Sequence, residues 1–216
     1  MSNFGKALMV ILLGTMPAWA QDAAAPKPLL LSFEQTNAYL QTESAACTDC
    51  GMQGLAGPGT TVHYPTTNVC IAVYDDGSYS YDRIEDRGGK PKVRVFKGTL
   101  AAPELAKLHS IVDDSGFKKL VSPTPDLEPP YDARAVKEGE VVTATVMHQE
   151  GPQVLTLLKR HYTTNSAGGM EKYVTNWEKL EKPLKPFLSF MKDVDKKGQS
   201  QGKAGDSSCQ MTTSPF

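Results

Sequence analysis

The chain has 216 residues, with 23 basic and 24 acidic side chains, and 40% of its residues are hydrophobic. This near-neutral balance gives no electrostatic case for nucleic acid or an anionic membrane surface, which take a clear basic excess. The length suits one domain with ragged ends and is enough to bury a proper core.

Met1 to Ala20 reads as a secretory signal. Lys6 and the amino terminus supply positive charge, Ala7 to Leu13 an apolar core, and Ala18-Trp19-Ala20 the small residues of a cleavage site. That core is too short to span a bilayer, which takes about 20 residues. Export to a periplasmic or extracellular space is expected, with a mature start at Gln21 and no lipid anchor. Losing Lys6 from the 23 basic residues leaves 22 against 24 acidic ones. No second long apolar run follows, so a soluble mature chain without a transmembrane segment is expected.

Residues 21–28 form an Ala/Pro spacer expected to be disordered. Over Leu29–Ser44, Ser32 as a cap with Phe33, Tyr39 and Leu40 predicts a short helix. Ala45 to Thr67 is a glycine- and proline-rich loop around Cys47-Thr48-Asp49-Cys50. Val69–Tyr74 and Ser78–Ile84 flank Asp76-Gly77, the pair a two-residue type I′ hairpin turn demands. That turn places Cys70, Ala72, Tyr74, Tyr79 and Tyr81 on one face, expected to cover the core, with Cys70 pointing inward. Lys92–Lys97 reads as a third strand. Pro103 opens a helix carrying Leu105, Leu108, Ile111 and Val112, with Gly116 as its C-cap.

Ser122–Asp132 is proline-rich and extended. Val141–Gln149 and Gln153–Tyr162 predict a second hairpin about a type II′ turn at Gly151-Pro152. Met170–Leu180 and Leu184–Val194 read as two helices broken near Pro183 and Pro186. Residues 196–216 read as a disordered polar tail containing Cys209. One α+β domain over 29–195 is therefore expected, with antiparallel hairpins forming one sheet and helices packed on one face.

The run VYDDGSYSYD followed by KGTLAAPELAKLHSIVDDSGFKKL resembles small exported bacterial domains of unknown function. Their pattern is a hairpin with a D-G turn, a further strand, an E-L-x-x-L helix and a phenylalanine after it. The resemblance covers about a quarter of the chain and implies that fold without implying an activity. The Cys-Pro-x-Tyr element associated with many such domains is absent, because Ile71 follows Cys70.

Four cysteines (Cys47, Cys50, Cys70 and Cys209) in an exported chain read first as disulfides, with three possible pairings. Gly51 after Cys50 excludes a c-type haem site, which needs histidine there. A thioredoxin-like dithiol wants a preceding strand and a following helix, and this CTDC element has neither. Cys47, Cys50, His63 and Cys70 could instead hold a structural zinc ion. The predicted second hairpin pairs His148 with Leu155 and Val142 with His161. The two histidines then stand six ladder positions apart, about 20 Å, and cannot share a metal. His109 reads as a helix-surface or core-edge residue, and Asp75-Asp76 as turn residues. Asp113-Asp114 would lie at a helix C-terminus, and Asp126 and Glu128 in a solvated loop. The glycines from Gly51 to Gly59 lack a phosphate-loop ending, and neither G-x-S-x-G nor H-E-x-x-H occurs.

The expectation is an exported, non-enzymatic domain with a binding or structural role, meeting an unknown protein or small ligand. The alternatives are a zinc-stabilised domain on the four ligands above, and a hydrolase or redox enzyme without a recognisable motif.

Overall fold

The computed structural model describes residues 27–39, 41–43, 61–63, 66–88, 90–122, 136–163 and 171–209. Their strands are β1 (Leu29–Tyr39), β2 (Gln41–Glu43), β3 (Thr61–His63), β4 (Thr66–Tyr74), β5 (Ser78–Asp86) and β6 (Lys92–Thr99). After the helices α1 (Ala102–Val112) and α2 (Ser115–Lys118) come β7 (Val136–His148), β8 (Gly151–Thr163) and β9 (Glu171–Thr175). The helix α3 (Trp177–Gln201) and the short strand β10 (Lys203–Ala204) complete the order. Eight of these strands form one sheet in the order β10-β6-β5-β4-β1-β7-β8-β9, every neighbour antiparallel. β2 and β3 pair separately.

The architecture is thus the expected α+β fold, but its central strand was unexpected. β1 occupies the place of the predicted helix over Leu29–Ser44. It joins two meanders, β4-β5-β6 on one side and β7-β8-β9 on the other, by pairing with both β4 and β7. Pairing along both edges supplies ladder hydrogen bonds that outweigh the modest helix preference of Leu, Glu, Gln and Ala.

The first hairpin lies where expected, in a different register. Val73 pairs with Tyr79 and Ile71 with Tyr81, so the loop is three residues, Asp75 to Gly77. Gly77 alone takes a positive φ, +78°, and its N–H donates to the Tyr74 carbonyl at 2.8 Å. A type I′ turn would force Asp76 to positive φ too, whereas this loop places only glycine there. Asp76 instead accepts from the Ser78 N–H and hydroxyl and pairs with Lys27 at 2.7 Å. The Lys27 bond first, then those from Ser78, hold its carboxyl down at about 2.

One added loop residue flips every side chain of one strand relative to the other. Val69, Ile71 and Val73 therefore join Tyr79 and Tyr81 beneath the helices, while Cys70 and Ala72 face outward. The inward orientation expected for Cys70 is corrected accordingly.

The inward face packs Leu31, Phe33, Val142, Ala144, Val146, Leu155 and Leu157 against Leu108, Val112, Phe117, Leu180, Leu184, Phe187, Met191 and Val194. α3 is a single helix, not two segments, and β9 replaces the start of the first predicted one. Pro183 and Pro186 lie on its exposed side. Carbonyls freed there reach water, and burial of Leu184, Phe187 and Phe190 offsets the lost hydrogen bonds. The helix then continues to Gln201, through the start of the predicted disordered tail. Gly116 is likewise not a C-cap: Asp114 caps α2 by accepting from the Gly116 and Phe117 N–H groups.

The last turns of α3 are seated by Tyr81. A Cβ on Gly198 would stand 2.4 Å from the Tyr81 Cγ. The ring cannot retreat, because it is fully buried and its hydroxyl donates to Asp195 Oδ1 at 2.8 Å. Gly198→Ala should therefore destabilise the domain by about 2 kcal/mol, the usual scale of overpacking. Chemical denaturation checks this, and an unchanged midpoint would show that the helix can shift outward without cost.

Candidate functional site

The outward face of β1, β4 and β5 carries the most distinctive chemistry of the fold. Glu34 pairs with Cys70 and Cys70 with Asp82, which sets three side chains in one row across the three strands. Ser32, Ala72 and Ser80 form the adjacent row. Over these rows lies the C-terminal segment. After β10 pairs with Val95 and Arg94 of β6, the chain reaches Cys209, whose sulfur is bonded to Cys70. This disulfide joins residues 139 apart in sequence.

Asp82 organises the contact. Its Oδ2 accepts from the Ser207 hydroxyl at 2.9 Å, the Ser208 N–H at 2.7 Å, the Ser208 hydroxyl at 3.1 Å and the Cys209 N–H at 3.1 Å. Such bonds to a carboxylate are short and strong, and they explain how a carboxyl group only 7% exposed is tolerated on a sheet face. Between strap and sheet remains a cavity of about 160 Å³, lined by Ser32, Glu34, Ile71, Ala72, Ser80, Asp82, Ser208 and the disulfide. Its described lining offers serine hydroxyls and the carboxylates of Glu34 and Asp82, a set rich in hydrogen-bond acceptors.

A second polar cluster lies on the helix side. Tyr81, Arg83 and Gln199 all donate to Asp195, and Arg83 also donates to Glu85 at 2.8 Å. Burial, then the bond to Asp195, pushes the Tyr81 phenol well above its ordinary range. The Arg83 bond holds Glu85 below the usual carboxylate value. Lys197 pairs with Glu104, which also accepts from the Ala101 N–H at the start of α1. The bonds of Tyr81 and Arg83 to Asp195 fasten α3 to β5, and the Lys197–Glu104 pair fastens it to α1.

A third feature is apolar. Met147 and Val154 are 41% and 54% exposed. Met147 pairs with Pro152 and Thr145 with Val154, so Met147, Pro152 and Val154 adjoin on the outward face beside the β7–β8 turn. Val121, 78% exposed, precedes Ser122, whose hydroxyl accepts from the Thr156 N–H on the β8 edge at 2.6 Å. Asn176 takes the next stretch of that edge, accepting from the Leu158 N–H and donating to the Thr156 carbonyl. These side chains blunt an edge that would otherwise recruit another strand.

The other candidates from the sequence lie on separate elements or outside the described residues. Cys47, Cys50, Asp126, Glu128 and the Gly51–Gly59 run lie outside the described residues, and His63 is the last residue of β3. The sulfur of Cys70 is held by Cys209, so in this oxidised form it offers no thiolate to a metal. The β7–β8 turn is Gln149-Glu150, not Gly151-Pro152, since His148 pairs with Gly151. His161 pairs with Glu138, ten positions along the ladder from His148. His148 contacts Gln153 Oε1 at 2.9 Å. Gln153 in turn donates to the carbonyls of Phe117 and Leu120, tying α2 to the sheet. His109 lies 3.6 Å from Asp113, which also pairs with Lys118. Among the described residues no three His, Cys, Asp or Glu side chains cluster as metal ligands would, and no helix is long and apolar enough to cross a membrane.

Sequence reasoning did not single out Asp82. Its only local signal is an acidic residue following the aromatic alternation of SYSY, and its place opposite Cys70 depends on the register. Compared with known proteins, the chain matches no family model, no curated sequence and no solved structure.

Proposed function

We infer that this chain is an exported, non-enzymatic binding domain that meets a partner protein through the outward end of the β7–β8 hairpin. The observation that carries the reading is the grouping there of Met147, Pro152 and Val154, with Val121 on the segment beside the same strand. Scattered apolar residues need no explanation, whereas adjoining ones at a hairpin tip leave apolar area that a partner can take from water. The signal pattern of residues 1–20 and the Cys70–Cys209 disulfide support export to an oxidising space.

A photo-crosslinking residue at Val154, with the exposed Lys107 of α1 as the control position, tests this in the exporting cell. A discrete higher-mass adduct is expected from position 154 alone, on a chain whose mass begins at Gln21. The adduct should be lost when Met147→Glu is added. Identical patterns at both positions, or no adduct at either, would overturn the reading.

A further inference from the structure

We propose that the Cys70–Cys209 disulfide is a redox-operated latch, holding residues 203–209 as a strap over the outward face of β4 and β5. Three observations converge on it. Among the described residues the strap is held to the sheet mainly by polar and backbone contacts: the pairing of Lys203 and Ala204 with Val95 and Arg94, the approach of Gly205 to Val95, and the bonds to Asp82 Oδ2. Residues 203–206 and Ser208 are exposed, so docking the strap buries little apolar surface. The core cluster contains no residue of the strap, and apart from Ile71, which also borders the cavity, it lies between the opposite sheet face and the helices. Opening the strap therefore leaves the domain folded. Both cysteines are partly exposed, which gives an attacking thiolate access to the bond.

The reductant is a dithiol, either a small molecule or a protein with a paired-cysteine site. Its thiolate attacks one sulfur of the Cys70–Cys209 bond, forming a mixed disulfide and releasing the other cysteine as thiolate. The second thiol of the reductant then displaces the remaining cysteine. Two electrons pass to the protein, the reductant leaves as its own disulfide, and Cys70 and Cys209 take up protons. With the covalent tie gone, ordering seven mostly exposed residues costs more entropy than the remaining hydrogen bonds return. The strap leaves, and Asp82 is uncovered beside Ser32, Glu34 and Ser80. A polar cavity partly roofed by the strap becomes an open acidic surface suited to N–H and O–H donors, the chemistry the strap itself presents to Asp82.

Hydrogen exchange read by mass spectrometry tests the latch on the mature chain carrying Cys47→Ser and Cys50→Ser, which confines the redox change to one bond. Dithiothreitol should raise exchange in 203–209 at least tenfold while Val69–Val73 and Leu184–Val194 stay protected. Oxidised glutathione should restore the original pattern. Cys209→Ser should show the open pattern without any reductant. Continued protection of 203–209 after reduction would show that Asp82 holds the strap alone. Loss of protection throughout would make the bond a structural staple, and either result overturns the proposal.

Discussion

Phe187→Ala should lower the unfolding free energy by about 4 kcal/mol, the scale of a buried phenylalanine lost from a well-packed core. Phe187 is 1% exposed and stands at the junction of three elements. Its ring centroid lies 6.2 Å from that of Phe33 on β1 and 5.5 Å from that of Phe117 on α2. Truncation removes the apolar area of one ring and the tilted ring contacts with two others, and it leaves a void. The void cannot close cheaply. Phe33 is fixed by β1, which is paired on both edges, and Phe117 by α2, whose following carbonyls are bonded to Gln153. For a domain of this size the loss corresponds to a fall in melting temperature of roughly 10–15 °C. Leu188→Ala, one residue along on the partly buried side of the same helix, should cost clearly less. Calorimetry on both variants checks the pair, and a Phe187→Ala loss below about 1.5 kcal/mol would mean the core collapses into the gap.

How far the sequence could be read depended on whether local chemistry or distant pairing decided each element. The first hairpin was placed by Asp76-Gly77, and that signal was sound about location. It was silent about loop length, because Asp-Gly serves a two-residue turn and also a three-residue loop ending in a left-handed glycine. The choice lay in the strands instead. Only the three-residue loop puts Ile71 and Val73 on the same face as Tyr79 and Tyr81, and that pooled face is the more apolar. Weighing both strands together would have turned Cys70 outward.

β1 was harder. Leu31 and Phe33 face the helices, yet further along Thr36 and Ala38 are buried on the opposite side, so no single period marks the strand. Its identity is set by β4 and β7, which lie 27 and 97 residues beyond its end. The prolines of α3 misled because their effect depends on which side of the helix meets water. The site was legible in one respect. A cysteine in a polar tail needs a partner, and Cys70–Cys209 is among the pairings the sequence allows. That Asp82 receives the strap could not be read without the register.

Removing the latch bond permanently, as Cys70→Ala with Cys209→Ala, should destabilise the mature chain by about 3 kcal/mol. The chain-entropy argument for a loop closed across 139 residues gives an upper figure of about 5 kcal/mol. That figure assumes a native state unchanged by loss of the bond. Here the uncrosslinked native state gains the freedom of its undocked strap, and this returns part of the entropy that cross-linking removes from the unfolded chain. The m-value discriminates this cause from simple damage to packing. An unfolded chain without the long cross-link is more expanded and exposes more surface, so m should rise as the midpoint falls. A core defect would lower the midpoint at constant m. Urea titration of the oxidised chain and the double variant, both carrying Cys47→Ser and Cys50→Ser, supplies the two numbers. A lower midpoint with unchanged m would place the effect in native packing around Cys70, against the entropic account. An unchanged midpoint would mean that release of the strap offsets the whole cost of losing the bond.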